Sequence, residues 1–354
     1  MSGELSFSKN QIDKAGNILR KLSRETDDKE FNAAYASVTE WRALHNSHLK
    51  SISRLLKLHT NKVQKDALYS QRLKRIRSII LKLRFEGGPN RAGRLTQMQD
   101  ISGCRAVLAS SSDAQKVVRR LISSRTEHSL VKVQDYIAKP QSTGYRSIHL
   151  VYKNNSSKRP HINGTFCEVQ VRSRRQHAWA TAVELAGFFR NEDLKRGVGD
   201  EQWLQFFFLV SCGIAYLENE SQPPNAPSSI IELGDQLVDN LKILRPFLWL
   251  SGFRSALKNT DISNTTASWY LIRFDSKIPK YFYTDYTFDE FASANAHYVE
   301  LEQEYKDIAH QHVALVSADS FEGLQLAYPS FFNNSEVFFE VVDEILEKVI
   351  AAQK

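Results

Sequence analysis

Gly144-Tyr145-Arg146-Ser147-Ile148-His149-Leu150-Val151-Tyr152 and Phe166-Cys167-Glu168-Val169-Gln170-Val171-Arg172 decide how this chain is read. The first is a Gly turn that feeds an alternating run. In the second, Phe166, Glu168, Gln170 and Arg172 fall on one face and Cys167, Val169 and Val171 on the other. Two alternating runs joined by a polar loop containing Gly and Asn predict neighbouring antiparallel strands. The apolar face goes to the core. The opposite face carries a carboxylate, an amide and a guanidinium in a row, and each of these needs a partner if buried. Such a row suits a metal and a phosphate better than bland packing.

Working outward, Gln99-Asp100-Ile101-Ser102-Gly103-Cys104-Arg105 leads into a strand over 104–108, with Asp100 at its mouth, either capping a turn or facing a ligand. A helix is expected over 112–123 and a strand over 129–136. The order strand, helix, strand, strand, strand gives a mixed α/β (α+β) domain. Upstream, Gln71 to Lys82 reads as a dense basic helix with Ile76, Ile79, Ile80 and Leu83 as its apolar stripe. It is either a solvated basic face or a phosphate clamp, for which Arg and Lys are suited. Residues 1–60 read as a supporting helical segment that Asp27 or Asp28 can cap.

Downstream, helices are expected from 173 and over 200–217; His177 on the first reads as a packing histidine. Glu220 to Ser229 is rich in Pro and Ser and is the clearest linker. Beyond it come a helix over 229–246, strands at 267–274, 280–286 and 313–317, a long helix over 288–310 and a last helix over 335–352. The expected domains are therefore 1–60, 61–218, a linker at 219–229, and 230–354.

The 354 residues are 42% hydrophobic and 25% charged, as in an ordinary globular protein. A formal net charge of +7 fits either a polyanionic partner or a mildly basic cytosolic protein. It indicates no DNA specifically. The three cysteines lie far apart without a Cys-x-x-Cys, which argues against a zinc site and for a reducing, cytoplasmic setting. No long apolar run or leader-like N-terminus is seen, so no membrane attachment is expected.

Taken together, Arg72-x-Lys74-x-x-x-Ser78-Ile79-x-x-Lys82, Asp100-Ile-x-Gly103-x-Arg105, Gly144-Tyr145-Arg146-Ser147-Ile148-His149, Glu168-x-Gln170-x-Arg172 and Gln176-His177-Ala-Trp179-Ala resemble the RelA/SpoT-type synthetase domain. Those enzymes are nucleotidyltransferase-like pyrophosphokinases that make guanosine tetra- and pentaphosphate. The resemblance implies that Arg72 and Arg105 sandwich the adenine of ATP, and that Lys74, Ser78 and Lys82 hold its phosphates. It implies that Asp100 and Glu168 bind Mg²⁺, and that Glu168 takes the proton from an attacking 3′-hydroxyl. Tyr145 would stack on the acceptor base, with Lys139, His149, Gln170 and Arg172 on the acceptor side. Gln134 stands where the family has Lys, the loop 139–144 lacks the Asn before Gly, and Thr181 replaces a Glu. These departures touch the acceptor side. No His-Asp dipeptide occurs, so the family's hydrolase domain is not expected.

The C-terminal half resembles the antitoxin-like domain of fused, CapRel-type toxic synthetases. There a Tyr-x-x-Tyr element covers the ATP site until a phage protein binds. Here the element would be Tyr328-x-x-Phe331. That resemblance implies the 3′ end of tRNA as acceptor and phage defence as the outcome. GDP or GTP as acceptor, and a catalytically idle nucleotide-binding module, are the alternatives.

Overall fold

The computed structural model describes residues 8–21, 29–74, 76–86, 93–155, 162–190, 192–247, 250, 268–275, 280–305, 308, 311–317 and 336–354. The chain divides into two compact units. One comprises Met1–Ile137 with Ser147–Arg174, the other Ala138–Arg146 with Arg175–Lys354.

The first unit holds α1 (Lys9–Lys21), α2 (Lys29–Asn61), β1 (Leu68–Leu73), α3 (Ile76–Glu86), β2 (Ser102–Leu108), α4 (Ser111–Ile122), β3 (Ser129–Asp135), β4 (Ile148–Lys153) and β5 (Phe166–Ser173). The strands form one mixed sheet in the order β1-β2-β5-β4-β3. β2 and β5 run parallel, with Gly103 opposite Glu168 and Arg105 opposite Gln170. β4 pairs antiparallel with β5, as the alternation predicts, with His149 opposite Gln170. A side-chain period of two then sorts the faces. Cys104, Ala106, Leu108, Ile148, Leu150, Tyr152, Cys167, Val169 and Val171 are buried with Leu49, Ile52 and Leu56 of α2 and Val117, Val118 and Leu121 of α4. Arg105, His149, Glu168 and Gln170 lie on the opposite face. The α4 helix starts where Ser110 Oγ accepts the Asp113 amide at 3.1 Å, an N-cap that stands in for a missing helical partner.

The basic stretch does not form one helix. Gln71 to Leu73 belong to β1, antiparallel to β2 with Arg72 opposite Gly103, and the helix begins only at Ile76. β1 is an edge strand with four of its six residues exposed, so it lacks the alternation that marks a half-buried strand. Its ladder is continued by the Lys74 amide, which donates to the Ile101 carbonyl at 2.7 Å. The apolar stripe of α3 is as expected: Ile79 and Leu83 are buried with Ile12, Leu19, Val38, Trp41, Leu95 and Ile101. The N-terminal helices thus form a second core that seats both α3 and the segment carrying Asp100. Asp27 and Asp28 lie outside the described residues.

The second unit holds α5 (Arg174–Arg190), α6 (Glu201–Glu218), α7 (Ile230–Leu244), β6 (Trp269–Asp275), β7 (Lys280–Tyr286), α8 (Phe291–Tyr305), β8 (Gln311–Ser317) and α9 (Glu336–Gln353). The strand, strand, helix, strand order expected here is present as a three-stranded antiparallel sheet, β7-β6-β8. Asp200 caps α6 through the amides of Gln202 and Trp203, and Ser229 caps α7 through Glu232. α9 lies on α6 and α7, where glycines permit close approach. A Cβ at Gly213 would meet Ile345 at 2.6 Å, and one at Gly234 would meet Val349 at 2.3 Å. Phe338 closes the seam against Phe206 and Phe207, edge-on and tilted respectively. Among the described residues no helix is long and apolar enough to cross a membrane.

Candidate active site

In the first unit, β1 carries Arg72, ends at Leu73 and hands the chain to Lys74. Lys74 Nζ donates to Asp100 Oδ2 at 2.7 Å, and Lys82 Nζ reaches the same oxygen at 3.0 Å. Ser78 sits one helical turn before Lys82 on α3. Burial alone would raise the Asp100 pKa, but the two ammonium groups outweigh it and hold the carboxyl below the usual carboxylate range. Lys74 is lowered by its own burial, which Asp100 only partly offsets. Both effects are consistent with a partly buried ion triad. Asp100 Oδ1 is buried and has no hydrogen-bond partner among the described residues. An ionised oxygen left unpaired at a strand mouth is a place for a cation.

On the sheet face, Glu168 Oε1 lies 2.9 Å from His149 Nδ1, and Glu168 Oε2 accepts from Gln170 Nε2 at 2.8 Å. Burial opposes ionisation of Glu168 as well. The His149 and Gln170 contacts prevail and lower its pKa, although the nearby Asp100 charge works the other way. Arg105 Nε donates to Gln170 Oε1 at 3.3 Å, so Arg105, Gln170, Glu168 and His149 form one continuous chain of contacts. The Tyr136 ring stands edge-on to His149 at 5.3 Å, and the Tyr136 hydroxyl receives the amide of Gln134 at 2.6 Å. Arg172 is buried near the end of β5, 2% exposed.

Two carboxylates held ionised beside lysine, arginine and histidine fit Mg²⁺, which keeps only one or two protein carboxylates and takes its remaining oxygens from phosphates and water. Among the described residues no three His, Cys, Asp or Glu side chains converge as a larger metal cage.

In the second unit, Gly144 has φ +87°, and a Cβ there would meet Ser211 Cβ at 2.8 Å, so only glycine fits. Its carbonyl accepts from Ser211 Oγ. Tyr145 is 4% exposed. Its ring lies 6.4 Å from that of Trp179, and Lys195 Nζ stands 5.2 Å from the Tyr145 centroid. Lys139 is exposed on the loop that precedes it. Tyr328 and Phe331 lie outside the described residues.

The structure therefore joins Lys74, Lys82 and Asp100 in one cluster, and Arg105, Gln170, Glu168 and His149 in another. One contributor was not singled out from sequence. Arg42 of α2 donates to the Lys74 carbonyl at 2.6 Å and so fixes the backbone from which that ammonium projects. Nothing local marks Arg42, because its partner lies 32 residues away.

The class defined so far is an α+β protein with a mixed sheet that presents two ionised carboxylates among cations. Residues 71–188 match the model of the region found in RelA / SpoT proteins. Over these residues the chain is thus similar to the region found in RelA / SpoT proteins. It is 28% identical over 131 residues to the GTP pyrophosphokinase YwaC of Bacillus subtilis, covering 37% of this chain and 62% of that protein. It is 33% identical over 113 residues to the GTP pyrophosphokinase YjbM of Bacillus subtilis, covering 31% and 51%. The chain thus spans less than two thirds of the length of either relative. A solved structure of small alarmone synthetase 1 from Bacillus subtilis, bound to its product pppGpp, superposes with a TM-score of 0.44 at 22% identity, covering 51% of this chain and 92% of that one.

Proposed function

We propose that the chain is an ATP-dependent pyrophosphokinase. The observation that carries this reading is the pair Asp100 and Glu168, both held ionised among Lys74, Lys82, Arg105 and His149 within the matched region. Phosphoryl-type transfer needs alignment and neutralised charge more than covalent help.

In this reading Lys74, Ser78 and Lys82 hold the ATP phosphates, and Arg72 and Arg105 flank the adenine. Asp100 and Glu168 would hold Mg²⁺, which supplies charge neutralisation at the phosphates. An acceptor 3′-oxygen attacks the β-phosphorus and the bond from that phosphorus to the α,β-bridging oxygen breaks. AMP leaves with the bonding electrons, and the hydroxyl proton passes to Glu168. His149 and Gln170 keep the Glu168 carboxylate ionised and fixed in orientation to receive it. Tyr145, Lys139 and Arg172 serve the acceptor.

The acceptor we propose is the 3′-terminal nucleoside of tRNA, supported by the exchanges at Gln134 and in the loop 139–144 and by the net charge of +7. The second reading, a guanine nucleotide, is favoured by the relatives, which are named GTP pyrophosphokinases. The catalytic body would span 61–218, with the segment 230–354 regulating it through Tyr328 and Phe331, as in a toxin released by a phage protein.

The test is incubation with ATP labelled in the γ-phosphate and either bulk tRNA or GDP and GTP. Label on tRNA supports the lead reading, and label on GDP or GTP selects the second. Label on neither, from the full chain and from a variant with 251–335 replaced by a flexible Gly/Ser linker, overturns the enzymatic reading.

A further inference from the structure

Arg146, next to Tyr145, is 2% exposed, and a buried guanidinium must be answered by charge and hydrogen bonds. Its Nε donates to Ser211 Oγ at 3.1 Å, its Nη2 to the Ser221 carbonyl at 2.8 Å, and its Nη1 meets Glu220 Oε2 at 3.2 Å. Glu220 is the first residue of the Pro-rich segment, and its side chain is 3% exposed. Gln176 Nε2 donates to both Glu220, at 3.0 Å, and Glu218 Oε2, at 3.2 Å. Arg175 Nη1 meets Glu218 Oε1 at 3.5 Å, and Arg175 Nε meets Glu344 Oε2 of α9 at 2.7 Å. An unbroken chain of charged and amide groups thus runs from the last helix, across α5 and α6, to the residue beside Tyr145. Ser211 adds a second tie by bonding both Arg146 and the Gly144 carbonyl, one residue before Cys212, whose own carbonyl receives Gln222.

We infer that this chain makes Glu220 and Glu344 positioning residues for Tyr145, with α9 a built-in brace of the Gly144–Arg146 loop. Buried members transmit because none can move without stranding a partner's charge. The inference rests on Tyr145 serving the acceptor as proposed above. It assigns to the Pro-rich segment a fixed start: Glu220 and Ser221 are anchored on Arg146, so changes at α9 reach the loop without passing through the intervening sheet.

The test compares full-length wild-type protein with Glu220→Gln, Glu344→Arg and Glu344→Asp. Amide hydrogen exchange is read over 138–147, and label transfer is measured against tRNA and GDP. Glu220→Gln is expected to speed exchange in 138–147 about fivefold or more. It should raise the acceptor KM by a similar factor with the ATP KM unchanged. Glu344→Arg, a surface change that spares the core, should act in the same direction and more weakly. Glu344→Asp, which keeps the charge, should resemble wild type. Unchanged exchange over 138–147 in both Glu220→Gln and Glu344→Arg would overturn the inference. Absence of label both from the wild type and from the chain with 251–335 replaced by a flexible Gly/Ser linker would overturn the pyrophosphokinase reading instead, and the exchange result would still decide the coupling.

Discussion

Lys74 Nζ and Asp100 Oδ2 lie 2.7 Å apart, and Lys82 closes the triad on the same oxygen. The carboxylate proposed to take a cation through Oδ1 is thus held by the two ammonium groups proposed to grip the ATP phosphates. The three groups stand side by side, so in the proposed reading the charges that would meet phosphate and cation are assembled by the fold itself. Asp100→Asn should lower transfer by about 10³-fold. It also removes the charge that answers two partly buried lysines and should cost about 1–3 kcal/mol of stability in urea unfolding. Retained activity would show that Asp100 only caps a turn.

The backbone under Lys74 is fixed by Arg42. Arg42→Gln should raise the ATP KM about tenfold, since small misplacements of binding groups are costly. The acceptor KM and the thermal midpoint should change little. An unchanged ATP KM would leave Arg42 a packing residue alone.

A buried histidine cluster should weaken the first unit in acid. Burial pushes His45 down to about 4, against a weak opposing hydrogen bond with the Trp41 carbonyl. Burial, with His128 and His45 beside it, pushes His48 down to about 3. The His48 and His128 rings stand 4.9 Å apart, and Thr165 Oγ1 lies 3.2 Å from His48 Nδ1. Both histidines are neutral in the fold, whereas the unfolded chain takes up their protons below about pH 6.5. Their stabilising contribution is therefore complete above that pH. It is lost as pH falls, and the loss levels off below the folded values. Between pH 7.5 and 5.0 the unfolding free energy should drop by about 4 kcal/mol, roughly half from each group. His48→Gln should flatten about half of that slope in urea titrations at the two pH values.

The position of α9 changes how regulation by the C-terminal half has to be tested. Removing everything after residue 220 would also strip Phe338 and Ile345 from α6, leaving Phe206 and Phe207 uncovered and Arg175 without its Glu344 partner. That truncation should lose several degrees of thermal midpoint, as expected when large core contacts go. Replacing 251–335 by a flexible Gly/Ser linker of about 15 residues keeps α9 and should raise label transfer if Tyr328 and Phe331 restrain the enzyme. Equal transfer by this variant and the full chain would remove the autoinhibitory proposal.

β2, β4 and β5 were legible because each has one clean apolar face, and the helices because their apolar spacing is regular. β1 was not, since a mostly exposed edge strand with Leu68 turned to solvent carries no clean period to read. Of the site, the residue types at Lys74, Asp100, His149 and Glu168 stood out in sequence, but their pairing did not. Hydrogen bonds from Arg42 to Lys74 and from Arg146 to Glu220 span 32 and 74 residues and leave no local trace. Tyr145 illustrates the remaining gap. Sequence suggests a stacking ring, but not that Lys195 stands over it.

The most direct test of the central claim is to follow γ-labelled ATP with the full chain and with Glu168→Gln, measuring both label on the acceptor and AMP released. AMP and acceptor label are expected in equal amounts for the wild type, with a loss of about 10³-fold or more in Glu168→Gln. ADP in place of AMP, or undiminished transfer by Glu168→Gln, would contradict it.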